Sequence, residues 1–414
     1  MATLYNDESN NTKPCLIKTP KPIRNAVYNP LDKPPKPSML LHNAHDRRAV
    51  LWLVLYAGTT LLAWHSSPYL LFTPLLAYFA FATACITHNS MHCPVFCDPA
   101  HEHLWRVALT LGYGHPCQTF LSGHNLSHHR FTQTRKDPMR TSKARFRWHF
   151  LNLLLFQPLV AGDVFRQDVR FLRRSPTVDR RAYALQIFPL VLFRVWTMWL
   201  DPLRAIALCI FPCLFAQWGI VTMNLLQHDG CATPAPGERN YNMARNFVGP
   251  VVNYATFNNG YHTIHHFFPT LHWSRLPEEH VRLVRPHMLP GLDERCMARY
   301  VWRTFVRRGG RVDAQGRPVK FKSAIEAEDE DWTAEYFAEE PSDASDDAKS
   351  EASTPDGSEE FLDEVVELML EKKEDGEEGG ALSPVKGKGV KMPARSVSPE
   401  GSAPVRRVGF EAKP

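Results

Sequence analysis

The stretch Tyr69-Leu-Leu-Phe-Thr-Pro-Leu-Leu-Ala-Tyr-Phe-Ala-Phe-Ala-Thr-Ala-Cys-Ile-Thr-His88-Asn-Ser-Met-His92 runs an uncharged apolar segment straight into two histidines four residues apart. Around it, Ala49 to Thr87 is almost free of charge and broken only at His65-Ser66-Ser67-Pro68. Ala184 to Gln227 repeats the pattern, broken at Asp201-Pro202 and carrying Arg194 and Arg204. Each block divides into two runs, 49–64 with 69–87 and 184–200 with 203–226. A helix needs roughly 20 residues to cross a hydrocarbon core of about 30 Å, and 17 suffice. The runs 69–87 and 203–226 clear that length, 184–200 meets it and 49–64 is short. With turns this brief, each block reads as a membrane hairpin. The expectation is an all-α integral membrane protein of four transmembrane helices. The competing reading is buried helices of a large soluble domain, in which two long uncharged hairpins are hard to place.

Charge sets the expected topology. Between Cys93 and Arg181 there are 14 Lys and Arg against 6 Asp and Glu, while the hairpin turns carry almost none. Basic loops stay cytoplasmic, so residues 88–183 and both termini are expected on that side. Met1 to Arg48 is polar, Pro-rich and basic and shows no cleavable signal, so the first hairpin must insert the chain itself. A reducing cytosolic face argues against disulfides among the nine cysteines. Cys93 and Cys97 leave a Cys/His zinc site as an open alternative.

The remaining histidines follow the first two in short clusters: His124-x-x-x-His128-His129, His228, and His262-x-x-His265-His266. Residues three and four apart share a helix face, so each cluster can aim two rings at one ion. Imidazole donors exclude calcium and magnesium, which take oxygen ligands, and admit iron, copper or zinc. Nine ligands exceed the coordination of one ion, so at least two are implied. His128 and His129, like His265 and His266, diverge by about 100° on an α-helix and can serve neighbouring ions. Two redox metals beneath a membrane suit O2 activation and attack on an unactivated C–H bond. A zinc-dependent membrane hydrolase is the reading from another class. His101, His103, His115, His149, His272, His280 and His287 lack this spacing and read as surface or supporting residues.

Three domains follow. Residues 1–48 form the polar N-terminal segment and 49–322 the membrane domain. Residues 323–414 form an acidic tail, expected to be largely disordered and dispensable, with 23 acids against 3 lysines from Glu326 to Glu378. Glu359 to Lys373 spaces its apolar residues at helical intervals, which reads as a transient helix in a solvated tail or as one that folds on a partner. Residues 1–322 carry 38 basic and 18 acidic side chains, which suits an anionic membrane surface. No nucleic-acid recognition motif accompanies that charge. Trp148 to Ala161 is too short to span, contains Pro158, and is expected to lie in the interface and line an acyl entrance.

The boxes His88-Asn-Ser-Met-His92, His124-Asn-Leu-Ser-His128-His129 and His262-Thr-Ile-His265-His266 resemble, in order and spacing, those of the membrane fatty acid desaturase–hydroxylase superfamily. The resemblance covers about 45 to 305. It implies four transmembrane helices in two hairpins under a cytosolic histidine-rich helical cap that holds two Fe ions, with O2 as co-substrate. Asn224-Leu-Leu-Gln-His228 is similar to the Asn-x-x-x-His of acyl-CoA desaturases, which implies His228 as ninth ligand and Asn224 reaching a metal through water. Asn258-Asn259-Gly260-Tyr261, Phe268-Pro269 and Ser274-Arg275-Leu276-Pro277 look like acyl-lipid and sphingolipid desaturases and the related enzymes that form terminal alkenes. Phe267 departs from the acidic residue that the sphingolipid enzymes often carry there. No cytochrome b5 domain is visible, so electrons are expected from a separate cytochrome b5 or ferredoxin. The basic loop Arg135 to Arg181 would dock that carrier or lipid head groups. The implied activity is an O2-dependent di-iron desaturase that introduces a double bond into a fatty acyl (lipid) chain, with hydroxylation, ketolation or oxidative decarboxylation as alternatives on the same site. The endoplasmic reticulum is its expected location in a eukaryote.

Overall fold

The apolar runs carry almost no charge that needs water, only Arg194 and Arg204, and a helix satisfies every backbone group internally, so each folds as one rod. The computed structural model describes residues 40–234, 239–307, 310–319 and 329–339. Most of the N-terminal segment and the stretch Glu359 to Lys373, read as a transient or a partner-docking helix, lie outside the described residues. The first hairpin comprises α1 (Arg47–Trp64) and α2 (Thr73–His92), the latter extended backwards by the 3-10 turn Tyr69–Phe72. Next come α3 (Pro99–Tyr113), a π-helical stretch Leu121–His128 that runs into α4 (His129–Phe131), and α5 (His149–Arg174). The second hairpin pairs α6 (Thr177–Leu200) with a rod formed by α7 (Pro202–Arg204), π-helical Ala205–Ile210 and α8 (Phe211–His228). Short elements complete the described chain. These are β1 (Asn246–Phe247), α9 (Pro250–Ala255), α10 (His262–Phe267), α11 (Leu276–Glu279), β2 (Asp293–Glu294), α12 (Met297–Val301) and α13 (Thr333–Glu339). β1 and β2 pair in parallel.

Among the described residues, three helices are long and apolar enough to cross a membrane: Tyr69–His92, Asp179–Leu200 and Pro202–His228. With 18 residues, α1 reaches about 27 Å and carries Arg47 and Arg48 in its first turn. Both of its ends are nevertheless registered with those of α2. Before α1, Leu41 bridges Phe96, and His42 N donates to Val95 O at 3.0 Å. Asp46 Oδ1 accepts from Trp273 Nε1 at 2.9 Å. These contacts place the start of α1 at the histidine-bearing end of α2. At the far end, Arg204 Nη1 donates to Ser66 O at 2.9 Å, and Asp201 caps its own helix by accepting from Leu203 N and Arg204 N. The two tight turns therefore meet opposite the histidines.

The outward faces stay apolar: Val54, Leu61 and Leu62 on α1 and Phe188, Val195 and Trp199 on α6 are all exposed. Apolar exposure on this scale suits lipid contact. Inside, α2 packs most extensively on α8, where a Cβ at Gly219 would stand 2.6 Å from Phe81 Cδ2. Gly114 ends α3 in the left-handed region at φ 78°, against Cys213.

The helix expected at Trp148 to Ala161 is longer than anticipated. α5 runs 26 residues through Pro158 to Arg174, because its polar second half keeps a buried stripe of Gln167, Asp168 and Phe171 in phase with Phe156 and Val160. Within the acidic tail, Asp329–Glu339 packs on this helix and buries Trp332 to 1% exposure. Burial of that indole, backed by neighbouring cations, holds these residues against the body despite their charge, unlike the disorder expected from composition.

Candidate metal centre

All nine clustered histidines meet at the site end of the bundle, in two groups. One holds His88, His92, His124, His129 and His265, the other His128, His228, His262 and His266, and within each group the ligand atoms lie within 4.8 Å of one another. α2 contributes His88 and His92 from adjacent turns of its last segment, and α8 ends on His228.

Box two departs from the expected α-helical pairing. His124 and His128, four apart, would share a face of an α-helix, but Leu121–His128 is π-helical. The wider turn brings His124 and His129, five apart, together at Nε2···Nε2 3.0 Å and sends His128 to the other group. π-turns concentrate at functional sites for such re-aiming. Box three keeps α geometry: His262 and His266 are 3.0 Å apart at Nε2, while His265 points to the first group. Adjacent histidines thus divide between the two groups in both boxes.

Box three is aimed by its approach. Phe257 and Asn258 both take positive φ, 52° and 60°. Asn258 Nδ2 donates to Trp273 O at 3.0 Å, and Asn259 O accepts from Gln227 Nε2 at 2.8 Å. A Cβ at Gly260 would stand 2.2 Å from Phe247 O, so the backbone passes β1 at a distance only glycine allows.

The donor set fits metal. Within the groups, His88 and His124 meet at 2.7 Å and His228 and His262 at 2.8 Å, Nε2 to Nε2. Two nitrogens bound to one ion at right angles, with bonds of about 2.0–2.1 Å, stand about 2.9 Å apart. The Nε2 atoms of His92, His128 and His265 are buried without a protein partner, a costly arrangement unless something ligates them. Burial, then the repulsion of neighbouring imidazoles, holds His124, His129, His262, His265 and His266 well below the usual histidine range. They are neutral at pH 7, the form that binds metal.

Supporting contacts fix ring orientation. His128 Nδ1 donates to Asp137 Oδ2 at 2.9 Å, and His228 Nδ1 to Met243 O at 3.0 Å. Both leave Nε2 for the site. Burial opposes the ionised Asp137, but His128 and backbone bonds from Gln133 and Met139 outweigh it and hold the carboxyl below its ordinary value. Asn224 Nδ2 donates to Met139 O at 2.8 Å, while its Oδ1 is buried without a partner. The expected supporting histidines stand apart from both groups: His272 and His280 pair with Asp46 and Asp293. Cys93 Sγ donates to Thr270 O and joins neither group. Sequence reasoning did not find Asp137, since nine residues from His128 across a loop is no motif.

A cavity of about 180 Å³ opens against His88, His124 and His262. Its walls are mainly apolar, with Phe120, Val164 and Ile220 among them, and α5 supplies one side. Asp168 also faces it. Burial pushes that carboxyl up to about 7, against the bond it accepts from Ser122 Oγ at 2.5 Å. A larger cavity of about 520 Å³, between α1, α3 and α6, touches neither histidine group.

Two histidine groups at the end of an apolar helical bundle are matched by one comparison. A family model described as fatty acid desaturase matches residues 62–295, more than half of the chain. The chain belongs to the fatty acid desaturase family. No curated protein and no solved structure matches it. The matched span includes all three boxes, His228, Asp137 and the cavity-lining face of α5, so this family member carries its complete candidate centre within the shared region.

Proposed function

We propose that the protein is an integral membrane, O2-dependent di-iron oxidoreductase that introduces a double bond into an acyl chain. The observation that carries this reading is the division of nine imidazoles into groups of five and four beside an apolar cavity. Five nitrogen donors exceed the tetrahedral set of zinc, which favours iron over a zinc hydrolase. The nine histidines would hold two iron ions, with Asn224 Oδ1 available through water. When bound, iron would supply O2 activation and hydrogen removal from an unactivated C–H bond.

The chain's own part is positional. Asp137 and Met243 O hold two ligating rings, and the cavity walls would seat a methylene segment against His88, His124 and His262, where small misplacements change rate strongly. Electrons would come from a separate cytochrome b5 or ferredoxin. We place both hairpins across the membrane, with α1 as the fourth span, and the boxes on the cytoplasmic side. The registered ends of α1 and α2 support that count. The endoplasmic reticulum is the membrane proposed for a eukaryotic host.

Lipid profiling in a desaturase-deficient host, with metal analysis of the purified protein, tests the reading. A desaturase yields acyl chains lacking two hydrogens and a protein with about two irons. A product that gains oxygen would assign hydroxylation, and zinc without O2 consumption would sink the oxidative reading.

A further inference from the structure

Asp329–Glu339 returns to the loop that follows box two. Trp332 sits between Phe131 and Phe171, with ring centroids 6.2 Å from each. Acids ring the indole and meet the cations of the loop. Asp329 pairs with Arg140 and, at 2.7 Å, with Lys143. Glu330 Oε1 lies 3.0 Å from Arg135 Nη1, and its backbone N donates to Arg135 O at 3.0 Å. Glu335 reaches Lys136 Nζ at 2.6 Å, and Asp331 reaches Arg174 at 2.8 Å.

The four loop cations bracket one residue, Asp137. Its Oδ2 takes His128 Nδ1 and Gln133 N, each at 2.9 Å, and its Oδ1 takes Met139 N at 2.9 Å. From within the bundle the loop is held by Asn224 Nδ2 on Met139 O and by Ser127 Oγ on Lys136 O at 2.7 Å. Its outer face rests on Asp329–Glu339.

We infer that Asp329–Glu339 is a latch whose residues position His128, acting through the 131–143 loop and Asp137. An acidic segment on basic residues also fits a strap that excludes an acidic electron carrier. The burial favours the latch: Trp332 is sealed like a core residue, and the Arg140 and Lys143 side chains are only 10% and 14% exposed. Surface ion pairs alone would hold weakly. The inference rests on the proposed iron site for its consequence but not for its geometry.

The test uses the full chain with Trp332→Ala, Trp332→Phe as the conservative control, and the charge swap Lys136→Glu with Glu335→Lys beside each single change. Backbone hydrogen exchange at Gln133 and Met139 is read in metal-free protein, and iron per chain after loading with ferrous iron. A latch predicts exchange at both amides at least tenfold faster in Trp332→Ala, and iron retention falling from two toward one. Trp332→Phe should restore both, and the double swap should restore what its single changes lose. Unchanged exchange, or unchanged iron with faster turnover by an acidic donor, overturns the latch and assigns the strap. If Trp332→Ala does not fold, the charge-swap series decides by the same readings. Faster exchange in a protein that never retains iron would keep the latch and remove the iron reading instead.

Discussion

Asp137 Oδ2 stands 2.9 Å from His128 Nδ1, and both side chains are fully buried. A carboxylate only accepts, so the imidazole proton is on Nδ1 and the Nε2 lone pair faces the second histidine group. Carboxylates behind metal-bound histidines typically contribute 10- to 100-fold in affinity. Asp137→Ala should therefore weaken iron binding by about that factor at the group of His128, His228, His262 and His266. Asp137→Asn, which still accepts, should lose less. Chelator competition on purified protein measures both, and equal affinity in wild type and Asp137→Ala would remove Asp137 from this role.

His265 and His266 are adjacent but belong to different groups. His265→Ala should deplete the five-imidazole group and His266→Ala the four-imidazole group, each leaving close to one iron per chain. Activity should be lost in both while membrane insertion persists. Mössbauer spectra of the two variants should differ in the ion that remains. Identical spectra would mean that the groups are not separate sites.

The buried histidines make the metal-free fold sensitive to acid. His124, His129, His262, His265 and His266 have folded pKa values below their unfolded value of about 6.5. Below pH 6.5 the unfolded chain takes up protons that the folded chain refuses, so stability falls as pH drops and is fully present above that pH. The melting temperature of detergent-solubilised apoprotein should hold from pH 8 to 7 and decline steadily from 6.5 to 5. A flat profile to pH 5 would contradict the burial of these rings.

Gly114 has φ 78°, and a Cβ there would stand 2.5 Å from Cys213 Cβ. Gly114→Ala should combine left-handed backbone strain with overpacking between α3 and α8, costing about 2 kcal/mol or more. Thermal unfolding against a Gly58→Ala control, where a Cβ meets nothing within 4 Å, measures it. Equal melting of the two variants would refute the close approach.

Cys97, after box one, and Cys296, after box three, are both exposed. With four spans they share one side of the membrane. An impermeant thiol reagent should label both from the cytoplasmic face of sealed vesicles, and a cysteine placed at Ser67 only from the other. Labelling of Cys97 and Cys296 from opposite faces would break the shared centre and the proposed function with it.

Much of the architecture was legible because hydropathy and imidazole chemistry are local. The uncharged runs marked both hairpins to within a few residues, and spacing marked the nine histidines that converge. The length of α5 was not legible, since Pro158 and the charges after it argue for an end, while the buried stripe that carries the helix onward has meaning only against Leu121–His128 and Asp329–Glu339.

By itself the sequence determined which segments leave water and which side chains can donate to a metal. The tertiary structure decided how those donors divide. The π-turn that separates His124 from His128 depends on the packing around box two rather than on residue spacing. The carboxylate behind His128 and the indole that covers its loop come from positions 137 and 332. Such partners are selected by complementary shape and charge across the folded surface, and no local pattern in the chain encodes that meeting.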